Sequence, residues 1–204
     1  MLRQKNNLRS NFFVEIYPTD IRLTQTGCIF VETRNSMLIR VHPPMTVLYV
    51  TRQTTLQESR ALTASALREL YQYVADLDLL ICGPQYRFFY GMDGQPDSPV
   101  TMEIALPVQG QIPTTLLPFF KQIPPFNCLC SRYEGPWEDL VKEYSEMLDY
   151  IAFNDLEMTD LYVETLLHID YAAPACQLTE IQIGLCPGSR VPKTVRTRTR
   201  VGIC

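Results

Sequence analysis

The chain has 204 residues, 46% of them hydrophobic, enough to bury the core of one domain of ordinary size. Its formal net charge of −4 hides a division: residues 1–36 hold five basic and three acidic side chains, residues 37–186 eight and nineteen, and residues 187–204 five and none. An acidic body repels phosphate backbones, which argues against nucleic acid as its partner; no apolar run reaches the roughly 18 to 20 residues a membrane span needs; and seven cysteines without framework spacing, behind no cleavable leader, point to a reducing, cytoplasmic setting.

Residues 12–17 and 28–31 are short apolar runs, candidate strands in an N-terminal extension (1–36) outside the rest of the pattern. A cleaner strand-like run begins at Met37. Residues 45–50 read as a strand, followed by a helix over about 56–77 with Ala64, Leu67, Leu70, Tyr71 and Val74 at helical spacing. Strand patterns recur at 85–90 and 102–106. Residues 111–125 hold Pro113, Pro118, Pro124 and Pro125 and read as a crossing linker with room for one short strand. Arg132-Tyr133-Glu134-Gly135-Pro136-Trp137-Glu138-Asp139-Leu140 opens a second helix, with Pro136 at a first position where its missing N–H costs nothing. Trp137, Leu140, Val141, Tyr144, Leu148 and Ile151 form one apolar stripe, expected to pack on a sheet. Strand patterns follow at 162–167 and 179–183. From 187 the chain is a basic tail, expected to be disordered, in which Arg196, Arg198 and Arg200 alternate with threonines.

Two segments share one order. Arg52-Gln53-Thr54-Thr55-Leu56-Gln57-Glu58 opens the first helix about 80 residues before Arg132 opens the second, and the closing strands repeat at an offset of 77. The pattern predicts an α+β fold of two β-α-β-β modules, 37–110 and 126–186, with a site between the copies.

Catalytic signatures are missing: there is no phosphate-cradling glycine loop, no nucleophile elbow and no metalloprotease helix. Cys128-Leu129-Cys130 lacks the spacing of a zinc site and reads as strand, and His168 falls near a strand end. No cofactor or metal is implied. Glu164 stands out, because period-two alternation puts Tyr162, Glu164 and Leu166 on one strand face, while Tyr86, Phe88 and Tyr90 share a face of the matching strand. If both faces line a groove between the helices, a carboxylate sits among aromatic rings, a setting for an amphipathic, aromatic or cationic guest. The opposite orientation, with Val163 and Thr165 inside, fits the pattern equally. Trp137 either closes the core or stands at a cleft rim. Glu180 and Gln182 share a strand face, with Glu103 as the copy-one counterpart of Glu180; these carboxylates also suit strand-edge hydrogen bonds.

The Arg132–Leu140 motif, the Glu164 strand and the closing Thr179-Glu180-Ile181-Gln182-Ile183 resemble the GyrI-like, or AraC-type effector-binding, small-molecule-binding domains over about residues 37–186. The resemblance implies pseudo-twofold β-α-β-β modules, a curved antiparallel sheet with two helices on one face, and a ligand in the central groove. It also implies that Glu164 faces inward toward lipophilic cations. Leu166 and Gln182 stand where relatives frequently carry aromatic residues, so ligand preference does not transfer. The N-terminus is too short for the helix-turn-helix of many relatives, which implies a stand-alone binder with Glu164 as charge partner and Tyr86, Phe88, Tyr90, Trp137, Tyr162, Leu166 and Gln182 around the ligand. Two alternatives accompany that expectation: a hydrolase of strained or electrophilic compounds with Glu164 as general base, and a gyrase-inhibitor-like module with a protein partner.

Overall fold

The computed structural model describes residues 20–23, 29–32, 37–95, 97–111 and 119–188. The chain divides into two compact units, residues 1–35 and 36–204. In the first, β1 (Asp20–Leu23) and β2 (Ile29–Glu32) pair antiparallel, with Asp20 opposite Glu32. The candidate strand at 12–17 and the basic tail beyond 188 lie outside the described residues.

The described residues of the second unit form a nine-stranded antiparallel sheet with two helices. In chain order it comprises β3 (Leu38–His42), β4 (Met45–Thr55), α1 (Leu56–Asp76), β5 (Leu80–Ile81), β6 (Gln85–Tyr90) and β7 (Pro99–Gln109). There follow β8 (Phe120–Ile123), β9 (Phe126–Glu134), α2 (Leu140–Phe153), β10 (Met158–His168) and β11 (Leu178–Leu185). Strand order is β3-β9-β11-β10-β6-β7-β4-β8, with β5 beside β7. Each module supplies three adjacent strands, and the modules meet where β10 pairs with β6. There Glu164 lies opposite Arg87, its own counterpart at the offset of 77, so the pseudo-twofold axis passes between these two residues.

Connectivity forces this sheet to curl. In a flat sheet six strand spacings of about 4.8 Å would put β3 and β4 about 29 Å apart. Yet His42 and Met45 are joined only through Pro43-Pro44, a span of at most about 11 Å. Pro124-Pro125 makes the symmetry-related link from β8 to β9 across the same number of strands. The ring of His42 accordingly stacks on Phe126 at 4.9 Å and meets Tyr86, four strands away, edge-on at 5.7 Å. Tyr86, Phe88, Val47, Ala105, Ile123 and Val163 fill the inside of the curl.

The flanking strands are tied down by matched charges. On the inner face Glu180 takes Arg40 of β3 and Arg132 of β9, while Glu103 takes Lys121 of β8 and, at 3.0 Å, the Tyr90 hydroxyl. Glu103 and Glu180 therefore act as edge fasteners. Cys128 and Cys130 are buried side by side on β9, with sulfurs 3.4 Å apart.

The helices cover the outer face. Thr55 caps α1, its hydroxyl accepting from the Glu58 N–H at 3.2 Å. Leu67, Leu70 and Val74 pack on β4 and β7 as expected from the helical spacing, but Thr63 and Ala66 complete the buried stripe and Tyr71 is exposed. At the start of the second helical region Gly135 adopts φ +147°, where a β-carbon would collide with the Tyr133 ring, and its N–H donates to the Gln177 carbonyl. The chain then turns through the 3-10 helix Trp137–Asp139 into α2. The core side of α2 is Leu140, Met147 and Ile151 with Glu143, which accepts from the Ser131 hydroxyl; Val141 and Leu148 are exposed, contrary to the expected stripe.

Leu70 is fully buried, so Leu70→Ala should lower unfolding free energy by about 2–5 kcal/mol in urea titrations. Burial pushes the His42 imidazole below its ordinary value of 6.5, opposed by the hydrogen bond of Nδ1 to the Pro43 carbonyl at 2.7 Å. The unfolded chain then binds a proton more readily than the folded one. The resulting stability is fully present above 6.5 and is lost as pH falls below it. Melting temperature should fall between about pH 7 and 5, and His42→Gln should flatten that slope.

Candidate functional site

Because α1 lies over β4 and β7, and α2 over β9, the central strands β6 and β10 are left as the floor of a groove. The groove encloses about 490 Å³, the volume of a small organic ligand. Its floor is Arg87, Phe89, Tyr162 and Glu164; one wall is the first turns of α1, through Leu56, Ser59 and Arg60. The other wall is the face of α2 carrying Leu140, Val141, Tyr144, Ser145 and Leu148, and one end is closed by Met92, Asp93, Gly94 and Met158.

Glu164 is 5% exposed and paired on both oxygens. Arg87, 1% exposed, makes an ion pair with Oε2, and the Tyr144 hydroxyl donates to Oε1 at 3.0 Å. Arg87 is itself held from behind. One of its terminal nitrogens donates to the Thr63 hydroxyl at 3.2 Å, and the guanidinium lies over the Trp137 ring at 4.4 Å. Among the described residues its Nε has no partner. Desolvating two charges is costly, and this geometry repays it through a tight ion pair with added hydrogen bonds. Burial and the adjacent Glu164 carboxylate push the Tyr144 phenol well above its ordinary value, so it stays a hydrogen-bond donor throughout the neutral range. Its ring leans against Tyr162, with centroids 6.2 Å apart.

The outer rim is charged but internally satisfied. Arg60 donates to the Trp137 carbonyl and pairs with Glu138 at 3.3 Å, linking α1 to the entry of α2. Asp93 accepts from the Gln95 N–H at 2.9 Å and the Ser98 hydroxyl at 2.7 Å, and these bonds hold its carboxyl below the usual range. Among the described residues no group of three or more metal-ligating side chains comes together.

Of the residues singled out from sequence, Glu164 and Tyr162 line the groove. Leu166 shares their strand face but is packed in the core under α2, and Trp137 lies behind Arg87 with its indole N–H on the Thr179 hydroxyl at 3.1 Å. Tyr86, Phe88 and Tyr90 do not face the groove. Cross-strand partners share a sheet face, so the register of Glu164 opposite Arg87 places Arg87 and Phe89 on its side and those three rings inside the curl. Gln182 is likewise on the inner face, opposite Val163, donating to Thr165 and Glu180. Sequence reading missed Arg87, Phe89 and Tyr144 as groove residues, and took Val141 and Leu148 for core. The repeat itself carried the signal for Arg87, since an offset of 77 maps Glu164 onto it.

Among the described residues no helix is long and apolar enough to cross a membrane. The fold is similar to that of EcmrR in a cryo-EM structure of its DNA complex, at 18% identity and TM-score 0.60, with 77% of this chain covering 58% of that one. This chain thus spans little more than half of that protein. The crystal structure of the EcmrR C-terminal domain aligns at 16% identity and TM-score 0.56, over 74% of this chain and 97% of the domain. A hydrolase encoded by lin2189 from Listeria innocua aligns at 15% identity and TM-score 0.52, over 74% and 91%. No curated protein matches the sequence. The family model described as the GyrI-like small molecule binding domain matches residues 38–185, nearly the whole of the curled sheet and its helices, and the chain belongs to that family.

Proposed function

We propose that this protein senses or sequesters an amphipathic aromatic small molecule, held in the groove between α1 and α2 and met in the cytoplasm. The observation that carries this reading is the composition of the groove: Val141, 70% exposed, and Leu148, 38% exposed, stand beside the rings of Phe89, Tyr144 and Tyr162 around one buried polar pair. Apolar side chains left in water along a concave surface gain when a guest covers them, at about 25 cal/mol per Å² of apolar area buried. The polar pair fixes the orientation of the guest. The description of the family as a small molecule binding domain supports the same reading.

A second reading is favoured by the Tyr144 hydroxyl lying 3.0 Å from Glu164 within one cavity, in a fold shared with a protein described as a hydrolase. Here Glu164 would take a proton from a water attacking an electrophilic carbon, and the Tyr144 hydroxyl would protonate the departing atom.

Calorimetry with a panel of planar aromatic compounds should show binding to the native protein. Ser145→Trp, which fills the groove from α2 without touching the core, should abolish that binding at unchanged melting temperature; undiminished affinity in this variant would place the ligand elsewhere. Incubation with strained and electrophilic substrates, followed by mass spectrometry, separates the readings. Turnover that drops about 100-fold or more in both Glu164→Gln and Tyr144→Phe would establish hydrolysis, and unchanged substrate would leave binding.

A further inference from the structure

We propose that Arg87 sets the charge preference of the groove: it occupies the place that a ligand's positive charge would take against Glu164. The groove therefore accepts amphipathic molecules with an anionic or hydrogen-bond-accepting head, an aromatic carboxylate being the simplest, in place of lipophilic cations. This rests on the groove being the binding site and adds the class of its ligand.

The argument begins with hydrogen-bonding capacity. Each Glu164 oxygen already has a donor, from Arg87 and from Tyr144, whereas Arg87 retains an Nε donor without a partner. The buried polar atom of the floor left without any partner is thus a donor. Arg87 is also hard to displace, being 1% exposed, bonded to Thr63 and stacked on Trp137. A cation entering the groove would have to push that guanidinium aside, leaving two positive charges to share one carboxylate in a desolvated site. An acceptor instead meets the unpartnered Nε–H of that guanidinium, an anion drawn by its charge against the pull of Glu164, and an uncharged acceptor without adding a second negative charge. The other acidic side chain of the lining, Asp93, is exposed at the end of the groove, where water and salt screen its charge. Arg60, on the α1 wall, is paired with Glu138 and the Trp137 carbonyl, so the rim adds little net charge of either sign. Discrimination arises as much from the charge that Arg87 repels as from the one it attracts.

A matched series on one ring system tests this: 1-naphthoate, the neutral 1-naphthamide and the cationic 1-naphthylmethylammonium, titrated calorimetrically into native protein, Arg87→Met and Glu164→Gln. For native protein the acid and the amide should bind at least about tenfold more tightly than the ammonium compound. Arg87→Met should reverse that order by freeing the carboxylate. Both variants remove one charge of a buried pair, so melting temperature is read beside each titration and the native series stands as the arm that needs no substitution. Glu164→Gln, which keeps the size of the side chain and an acceptor oxygen, should tighten the acid and leave the ammonium compound weak. The inference is overturned if the ammonium compound binds native protein best and loses affinity in Glu164→Gln, a result that leaves the groove reading intact. Absence of binding by all three, together with silence across the wider aromatic panel, overturns both.

Discussion

The pairing of β10 with β6, with Glu164 set opposite Arg87, is the contact on which both halves of the molecule depend. It joins the two modules through their central strands and lies on the axis relating them. A homodimer of identical modules would place two like residues there, facing each other across the axis. Within one chain the two matched positions need not be alike, and here they carry opposite charges. Buried unpaired, either would be costly; buried together, with Thr63, Tyr144 and Trp137 around them, they form the charged centre of the interface.

The curl of the sheet follows from a different constraint, and both pieces of it are duplicated. Each Pro-Pro link is too short to cross a flat sheet, so the edges are drawn together and the inner face must be filled. Aromatic side chains fill it, with Glu103 and Glu180 fastening the short outer strands through Lys121 and Arg40. This consumes the rings of Tyr86, Phe88 and Tyr90 in structure. The outer face then carries the groove, because two helices leave part of a nine-stranded sheet uncovered and the gap between them falls over the axis.

That division explains why the groove is built from residues that look unremarkable along the chain. Its walls come from positions of α2 one step round from the core stripe, so Leu140, Val141, Tyr144 and Leu148 form a wide apolar face of which only part is buried under the helix. Periodicity reports that a helix has an apolar face; it does not report how much of that face the sheet covers. Val141 and Leu148 lie on the part of that face that the sheet leaves open, along the groove wall.

By itself the sequence determined the repeat, the order of its elements and the α+β class, because hydrophobic periodicity and turn chemistry are local properties that a duplicated unit displays twice. It also marked Glu164 as a carboxylate among apolar residues. The charge state of the site was decided only by tertiary structure. A strand pattern shows which residues share a face but not which face is shared with the neighbour, and that depends on the register of β10 against β6. The odd offset of 77 held part of the answer, since it sends Glu164 to Arg87 and thus puts Tyr86, Phe88 and Tyr90 on the other side. What no offset contains is the proximity of Tyr144, Thr63 and Trp137 to that pair, which arises only when helices far apart in sequence settle on one sheet.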